Sequence, residues 1–173
     1  MARVSIIGAG TWALGIAILL YNNGEEITMW SALDSELDML RQHHEHKNLP
    51  GVKIPEEISF TNDLKEAITE ADVLVMAVAS IFTRQTARRM KDFVHPGQII
   101  VDVAKGIEET TLMTLSEQIK EEIPQADVAV LSGPSHAEEV SRGIPTSCVV
   151  SAKTENRSDT SIERSNDYVM QEM

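Results

Sequence analysis

The 173-residue sequence lacks several things, and each shortage narrows what the protein can do. It holds one cysteine, Cys148, so no disulfide can form within the chain, in keeping with a reducing compartment. Basic residues are in deficit, 15 Lys and Arg against 27 Asp and Glu, for a formal net charge of -12. Such a surface repels nucleic acid and anionic lipid, so an anionic ligand must be held by a local site. No apolar run approaches the roughly 20 residues of a membrane helix. The opening "MARVSIIG" lacks the basic stretch, long apolar core and cleavage site of a secretory signal. The expectation is a cytoplasmic protein with no membrane insertion and no nucleic-acid partner.

What is present is a regular alternation of two hydrophobic periods. Strand-like runs fall at Arg3–Ile7, Glu26–Trp30, "DVLVMAV", "QIIVDVA", "DVAVLS" and "PTSCVVSA". Between them, helical spacing is expected over Trp12–Asn22, Ser35–His43, "SFTNDLKEAITEAD", Ile81–Phe93, Thr110–Ile123 and part of "GPSHAEEVSRG". Apolar strands alternating with helices imply an α/β doubly wound, mainly parallel sheet of the Rossmann type, covered by helices on both faces. "HHEHKNLPGVKIPEE" reads as a long surface loop rather than a packed element. Residues 1–152 are read as one dinucleotide-binding domain. Residues 153–173 are read as a polar tail, either a marginal helix or a frayed end.

The segment "IIGAGTWALG" links the first strand to the first helix. Gly8, Gly10 and Ala13 fill the positions that need a tight turn, a close backbone approach to a pyrophosphate, and a small residue between helix and strand. The helix behind them directs its N–H groups toward that phosphate. The plainer alternative is a tight strand-to-helix connection. The acid that marks NAD, expected about 20 residues on, is missing: Trp30 is followed by Ser31, Ala32 and Leu33, with Asp34 the nearest carboxylate. No arginine marks a 2′-phosphate either. The cofactor is therefore NAD or NADP, with the choice open.

Four motifs in register, "GAGTWALG", "NLPGVKIP", "AKGIE" and "LSGPSHAEEVSRGIPT", closely resemble the N-terminal half of bacterial NAD(P)-dependent sn-glycerol-3-phosphate dehydrogenases over roughly residues 1 to 150. The resemblance implies reduction of dihydroxyacetone phosphate to glycerol 3-phosphate, a supply of backbone for glycerophospholipids. It also implies that Thr11 and Trp12 touch the cofactor, that Lys105 reaches both nicotinamide and substrate as a catalytic residue, that Gly133 and Ser135 touch substrate, and that Ala137 lies beside the cofactor. For Lys105, the plainer reading is an exposed loop lysine; for Ser135, a helix cap; for Trp12, a core residue. The glycine turn at 133–135 is expected to present backbone donors and a hydroxyl to an anion.

Some positions depart from the family pattern. Ala13 replaces the usual third glycine, with Gly15 two residues later; Ala79 stands where proline is common, His136 where an aromatic is usual, and no basic residue occupies 32 or 33. Family members continue into a helical domain bearing a second lysine, the proton donor, whereas this sequence stops at Met173. The 173 residues alone are thus expected to bind cofactor better than they turn over substrate. A homodimer is compatible with the resemblance.

Other candidates carry less. "HHEH" at 43–46 lacks metalloprotease spacing, and no metal is expected. Cys148 reads as a small buried hydrophobe. The paired glutamates at 25–26, 56–57, 108–109, 121–122 and 138–139 read as solvated surface, with Asp and Glu pairs for acid–base work absent. Two further function classes stay open: a stand-alone dinucleotide-binding module without catalysis, and a related hydroxyacid-type dehydrogenase.

Overall fold

A computed structural model describes residues 1–152; the reading of 153–173 as a polar tail lies outside the described residues. The strands are β1 (Arg3–Ile7), β2 (Glu26–Trp30), β3 (Ser59–Thr61), β4 (Val73–Met76), β5 (Ile99–Asp102), β6 (Asp127–Ser132) and β7 (Val149–Ala152). They form one sheet in the order β3-β2-β1-β4-β5-β6-β7. Every pairing is parallel except β6 with β7, which is antiparallel. The helices are α1 (Thr11–Asn22), α2 (Asp34–His43), α3 (Leu64–Thr69), α4 (Thr83–Met90), α5 (Leu115–Glu122) and α6 (Ala137–Ser141). The doubly wound α/β expectation holds. No helix among the described residues is long and apolar enough to cross a membrane.

The pleat explains why the strands read as unbroken apolar runs. Val4 and Ile6 of β1 point into a core shared with α1 and α2, while Ile7 points into a second core with α3, α4 and α5. Val75 and Val101 face the first core; Leu74, Met76 and Ile100 face the second. A strand buried on both faces has no polar side to show, so alternation disappears from its sequence.

Four expectations need correction. The stretch from Ser59 is not all helix: β3 pairs with β2 before Asp63, whose carboxylate accepts from Lys65 and Glu66 N–H, caps α3. The segment from Ile81 opens as a 3₁₀ turn over Ser80–Phe82, and α4 ends at Met90. The helix expected from Thr110 begins at Leu115, because Thr114 and Glu117 form a reciprocal capping box that fixes its start. The loop after α2 is not a surface loop: Leu49, Val52, Ile54 and Ile58 are buried in the first core. Their spacing follows turns rather than a helical or strand period. The turns are built by Leu49 N–H to His46 O (2.8 Å), Val52 N–H to Leu49 O (3.2 Å) and Ile54 N–H to His44 O (2.9 Å).

Candidate functional site

The order of the sheet reverses at β1, with β2 and β3 on one side and β4 onward on the other. Beyond the carboxyl ends of such strands the diverging connections leave a crevice. Here it is a cleft of about 880 Å³, floored by Gly10–Ala13, Ala77–Ser80 and Val103–Lys105 and walled by Ser135–Glu139, with Asn48 and Leu49 at one side.

Two glycines of the first turn have different jobs. Gly8 has φ 131°, donates its N–H to Trp30 O at 2.9 Å, and would place a Cβ 2.7 Å from Ala77 O. Only glycine fits there. Gly10 has an ordinary φ of -72°, and a Cβ on it would meet nothing within 4 Å. Its freedom from a side chain therefore serves the cleft rather than the fold. Gly10 is the N-cap of α1 and offers no side chain to the first-turn N–H groups, and no acidic residue lies in that turn. Unpaired donors and the positive end of a 12-residue helix thus face open space, the chemistry a pyrophosphate needs.

Ala13 is fully buried, and the close approach assigned to a third glycine occurs instead at Gly15, where a Cβ would lie 3.2 Å from Ala137 O. Gly15 thereby lets α1 press against α6 and sets Ala137 on the cleft wall. A glycine inside a helical run was the available signal.

Trp12 is neither simple core nor free. Its indole Nε1–H donates to Val103 O at 2.9 Å, tying the start of α1 to the end of β5. Lys105 is exposed, yet its ammonium is not free as a plain loop lysine's would be. Its Nζ donates to Gly133 O (3.0 Å) and Ser135 O (3.2 Å) and lies 5.7 Å from the centre of the Trp12 ring. Seven residues expected at the site, Gly10, Thr11, Trp12, Ala13, Lys105, Ser135 and Ala137, line one cleft, and Gly8 and Gly133 are not in its lining.

The 133–135 turn differs from expectation. It turns carbonyls, not N–H donors, toward Lys105, and the Ser135 N–H is already taken by Gly133 O at 2.9 Å. Ser135 is buried, with its hydroxyl directed at Gly133 O at 3.5 Å, and it does not cap α6, whose N-cap is His136. Gly133 is required by packing, since a Cβ there would run into Ser147 O and lie 2.9 Å from Cys148 Cα. Cys148 itself is half-buried, and burial pushes its thiol above the ordinary value.

The loop carrying Lys105 is anchored at both ends by groups that sequence reading missed. Asp102 is 2% exposed, and its Oδ1 accepts the Ala104 N–H at 3.1 Å. Burial raises its carboxyl to about 6, against the opposing Ala104 hydrogen bond. Beyond the lysine, Arg84 of α4 grips Glu108 in a two-pronged pair, Nε to Oε1 at 2.7 Å and Nη2 to Oε2 at 2.8 Å. The same guanidinium reaches Glu121 (2.7 Å) and Glu122 (3.0 Å) of α5. Those glutamates are therefore not all idle surface: Arg84 and Thr111 hold the Glu108 carboxyl down to about 2. Among the histidines at 43–46, His46 is buried and its Nδ1 accepts the Asn48 N–H at 3.1 Å, so it orders the loop that brings Asn48 to the cleft.

Comparison with known proteins agrees with this geometry. Residues 3–158 match the family described as NAD-dependent glycerol-3-phosphate dehydrogenase N-terminus. The chain is 54% identical over 160 residues to glycerol-3-phosphate dehydrogenase [NAD(P)+] of Agathobacter rectalis, covering 92% of this chain and 48% of that protein. It is 48% identical over 155 residues to the enzyme of that name from Fusobacterium nucleatum, covering 88% and 46%. The crystal structure of glycerol-3-phosphate dehydrogenase from Coxiella burnetii superposes with a TM-score of 0.85 at 25% identity, covering 98% of this chain and 50% of that one. The chain thus spans about half the length of the curated relatives it matches. A glycine turn opening an uncapped helix onto a cleft, with the match across nearly all of the described residues, makes this chain a member of the NAD-dependent glycerol-3-phosphate dehydrogenase N-terminal family.

Proposed function

We propose that residues 1–152 are the coenzyme-binding half of an enzyme that reduces dihydroxyacetone phosphate to sn-glycerol 3-phosphate with NAD(P)H, in the cytoplasm, to supply glycerophospholipid backbone. The observation that carries this reading is Lys105, a cation held at the cleft between the Trp12 ring and the carbonyls of the 133–135 turn. In this reading Gly8 shapes the turn, Gly10 leaves room for the pyrophosphate, and Thr11, Trp12 and Ala13 offer the first-turn N–H groups of α1. Ala137, pressed in by Gly15, closes the opposite wall.

When bound, the reduced nicotinamide supplies the hydride. Lys105 exchanges one carbonyl partner for the ketone oxygen and stabilises the negative charge that grows there. Gly133 and Ser135 keep that ammonium aimed at the cleft through their carbonyls, and Ser135 also lines the cleft. The Trp12 ring lies 5.7 Å from the ammonium on one side. His136 lines the same cleft, and the resemblance places the second lysine, the proton donor, in the helical domain of the family.

The experiment is a titration of the 173-residue chain with NADH, followed by tryptophan emission, since Trp12 begins the helix at the cleft. Saturable quenching supports the assignment. A folded chain whose emission and melting temperature ignore both NADH and NADPH would contradict it.

A further inference from the structure

Lys105 is carried by a loop that closes on itself and is gripped from outside. Ile107 pairs with Thr114 in an antiparallel bridge, Glu108 donates its N–H to Met113 O at 2.9 Å, and Leu112 donates its N–H to Glu108 O at 2.8 Å. Residues 107–114 thus form one closed unit, and a single glycine, Gly106, separates it from Lys105. Gly106 has φ 142°, and a Cβ there would lie 3.0 Å from Ser80 Cβ, so the loop passes close against the 3₁₀ turn that leads into α4.

Arg84, in the first turn of α4, reaches both limbs of this unit. Its guanidinium forks onto the Glu108 carboxylate, and its Nη2 lies 3.4 Å from Met113 Sδ. Nη1 bonds Glu121 and Glu122, which ties the same group to α5. The Arg84 and Glu108 side chains are 18% and 19% exposed, and a two-pronged ion pair so shielded holds better than one in open water. Arg88, one turn on, makes a useful contrast. It is 62% exposed, bonds Glu122 at 3.0 Å, and among the described residues makes no hydrogen bond to the loop.

The grip has two effects on Lys105. It fixes the base from which the side chain reaches Gly133 O and Ser135 O at the cleft. It also occupies Glu108, three residues along. Left without Arg84, that carboxylate would compete with the two carbonyls for the ammonium, because a charged acceptor binds a cation more strongly than a neutral one.

We propose that Arg84 is a positioning residue for Lys105, and that its grip on Glu108 sets how tightly the cleft holds the coenzyme by keeping the ammonium at the cleft and away from that carboxylate. The inference rests on the coenzyme reading above. A brace that served only to join α4 to α5 would change the melting temperature and leave binding through Lys105 untouched.

The test is a double-mutant cycle on the 173-residue chain, titrated with NADH, for wild type, Arg84→Met, Lys105→Ala and the double variant, with Arg88→Met as control. Circular dichroism verifies that each is folded at the titration temperature. Arg84→Met and Lys105→Ala should each weaken NADH binding at least fivefold. Once Lys105 is alanine, Arg84→Met should add less than twofold, and Arg88→Met should stay within twofold of wild type. Glu108→Gln, which leaves Arg84 its bonds to Glu121 and Glu122, should weaken binding about threefold, and it replaces Arg84→Met in the cycle if that variant does not fold. An Arg84→Met effect that persists in full without Lys105 overturns the positioning role, as does wild-type affinity in Arg84→Met or in Lys105→Ala. Each of these leaves the coenzyme reading intact. A folded wild type that binds no NADH overturns both.

Discussion

The Lys105 ammonium donates to the Gly133 carbonyl oxygen across 3.0 Å, joining the loop after β5 to the loop after β6 at the mouth of the cleft. A second carbonyl, Ser135 O, and the Trp12 ring complete its surroundings. A flexible lysine held by neutral carbonyls can trade one partner for a ligand oxygen at little cost.

That relationship carries the first prediction. Joined to the C-terminal half of the Agathobacter rectalis relative, the chain should reduce dihydroxyacetone phosphate, whereas the 173 residues alone should not. In the joined protein Lys105→Ala should lower kcat by roughly two to four powers of ten, about 3–5 kcal/mol of transition-state stabilisation. Steady-state kinetics with NADH check it. A variant of undiminished kcat would return Lys105 to the role of a packing residue.

The two turn glycines should fail in opposite ways. Gly8→Ala forces a Cβ to 2.7 Å from Ala77 O at φ 131°, and should cost at least about 2 kcal/mol in denaturant unfolding. Gly10→Leu should melt within a few degrees of wild type, since no atom lies within 4 Å of its Cβ, yet lose NADH binding because the side chain fills the phosphate position. Retained binding in Gly10→Leu would show that the phosphates lie elsewhere.

Asp102 should make the fold less stable as pH rises. Its carboxyl ionises near 3.8 when unfolded and near 6 when folded, so between those values the folded state holds the extra proton. Stability therefore falls as pH climbs from about 4 to about 6 and stays reduced above. Asp102→Asn keeps the acceptor for Ala104 N–H and should stabilise the protein at pH 7 by at most about 3 kcal/mol, at about 1.4 kcal/mol per pKa unit. Below pH 4 the gain should vanish. Chemical unfolding at pH 3.5 and 7 measures the difference.

Glu108 works in the other direction. Arg84 and Thr111 lower its folded value to about 2 from 4.5, so its contribution is complete above pH 4.5 and disappears as pH falls toward 2. A melting series from pH 2 to 6 should show a flatter acid limb for Glu108→Gln than for wild type. Arg84→Met, which removes the other partner, should flatten it as well.

Much of the fold could be read from residues because the central strands announce themselves by runs such as "VLVM" or "IIVD", which fit a sheet buried on both faces. β3 was not legible: three residues are too short for any period, and their strand character comes from pairing with β2. Nor was the antiparallel direction of β7, which depends on how the chain returns from α6. At the site, Gly8, Gly10 and Lys105 were legible through motif and resemblance. Gly15, Asp102, Arg84 and Glu108 were not, since their roles arise from partners far along the chain, such as Ala137 for Gly15. The packing of Leu49, Val52, Ile54 and Ile58 was hidden for the same reason, in a stretch whose prolines and histidines read as solvent-facing.

The central claim is that coenzyme binds where α1 opens onto the cleft. The most direct measurement is a ¹⁵N-labelled spectrum of the 173-residue chain with increasing NADH. The account predicts saturable shifts in the backbone amides of Gly10–Ala13, in the Trp12 indole N–H that now donates to Val103 O, and in Lys105, with Asn23–Glu26 at the far end of α1 unmoved. Shifts confined to other surfaces, or none in a folded chain at saturating NADH, would contradict it.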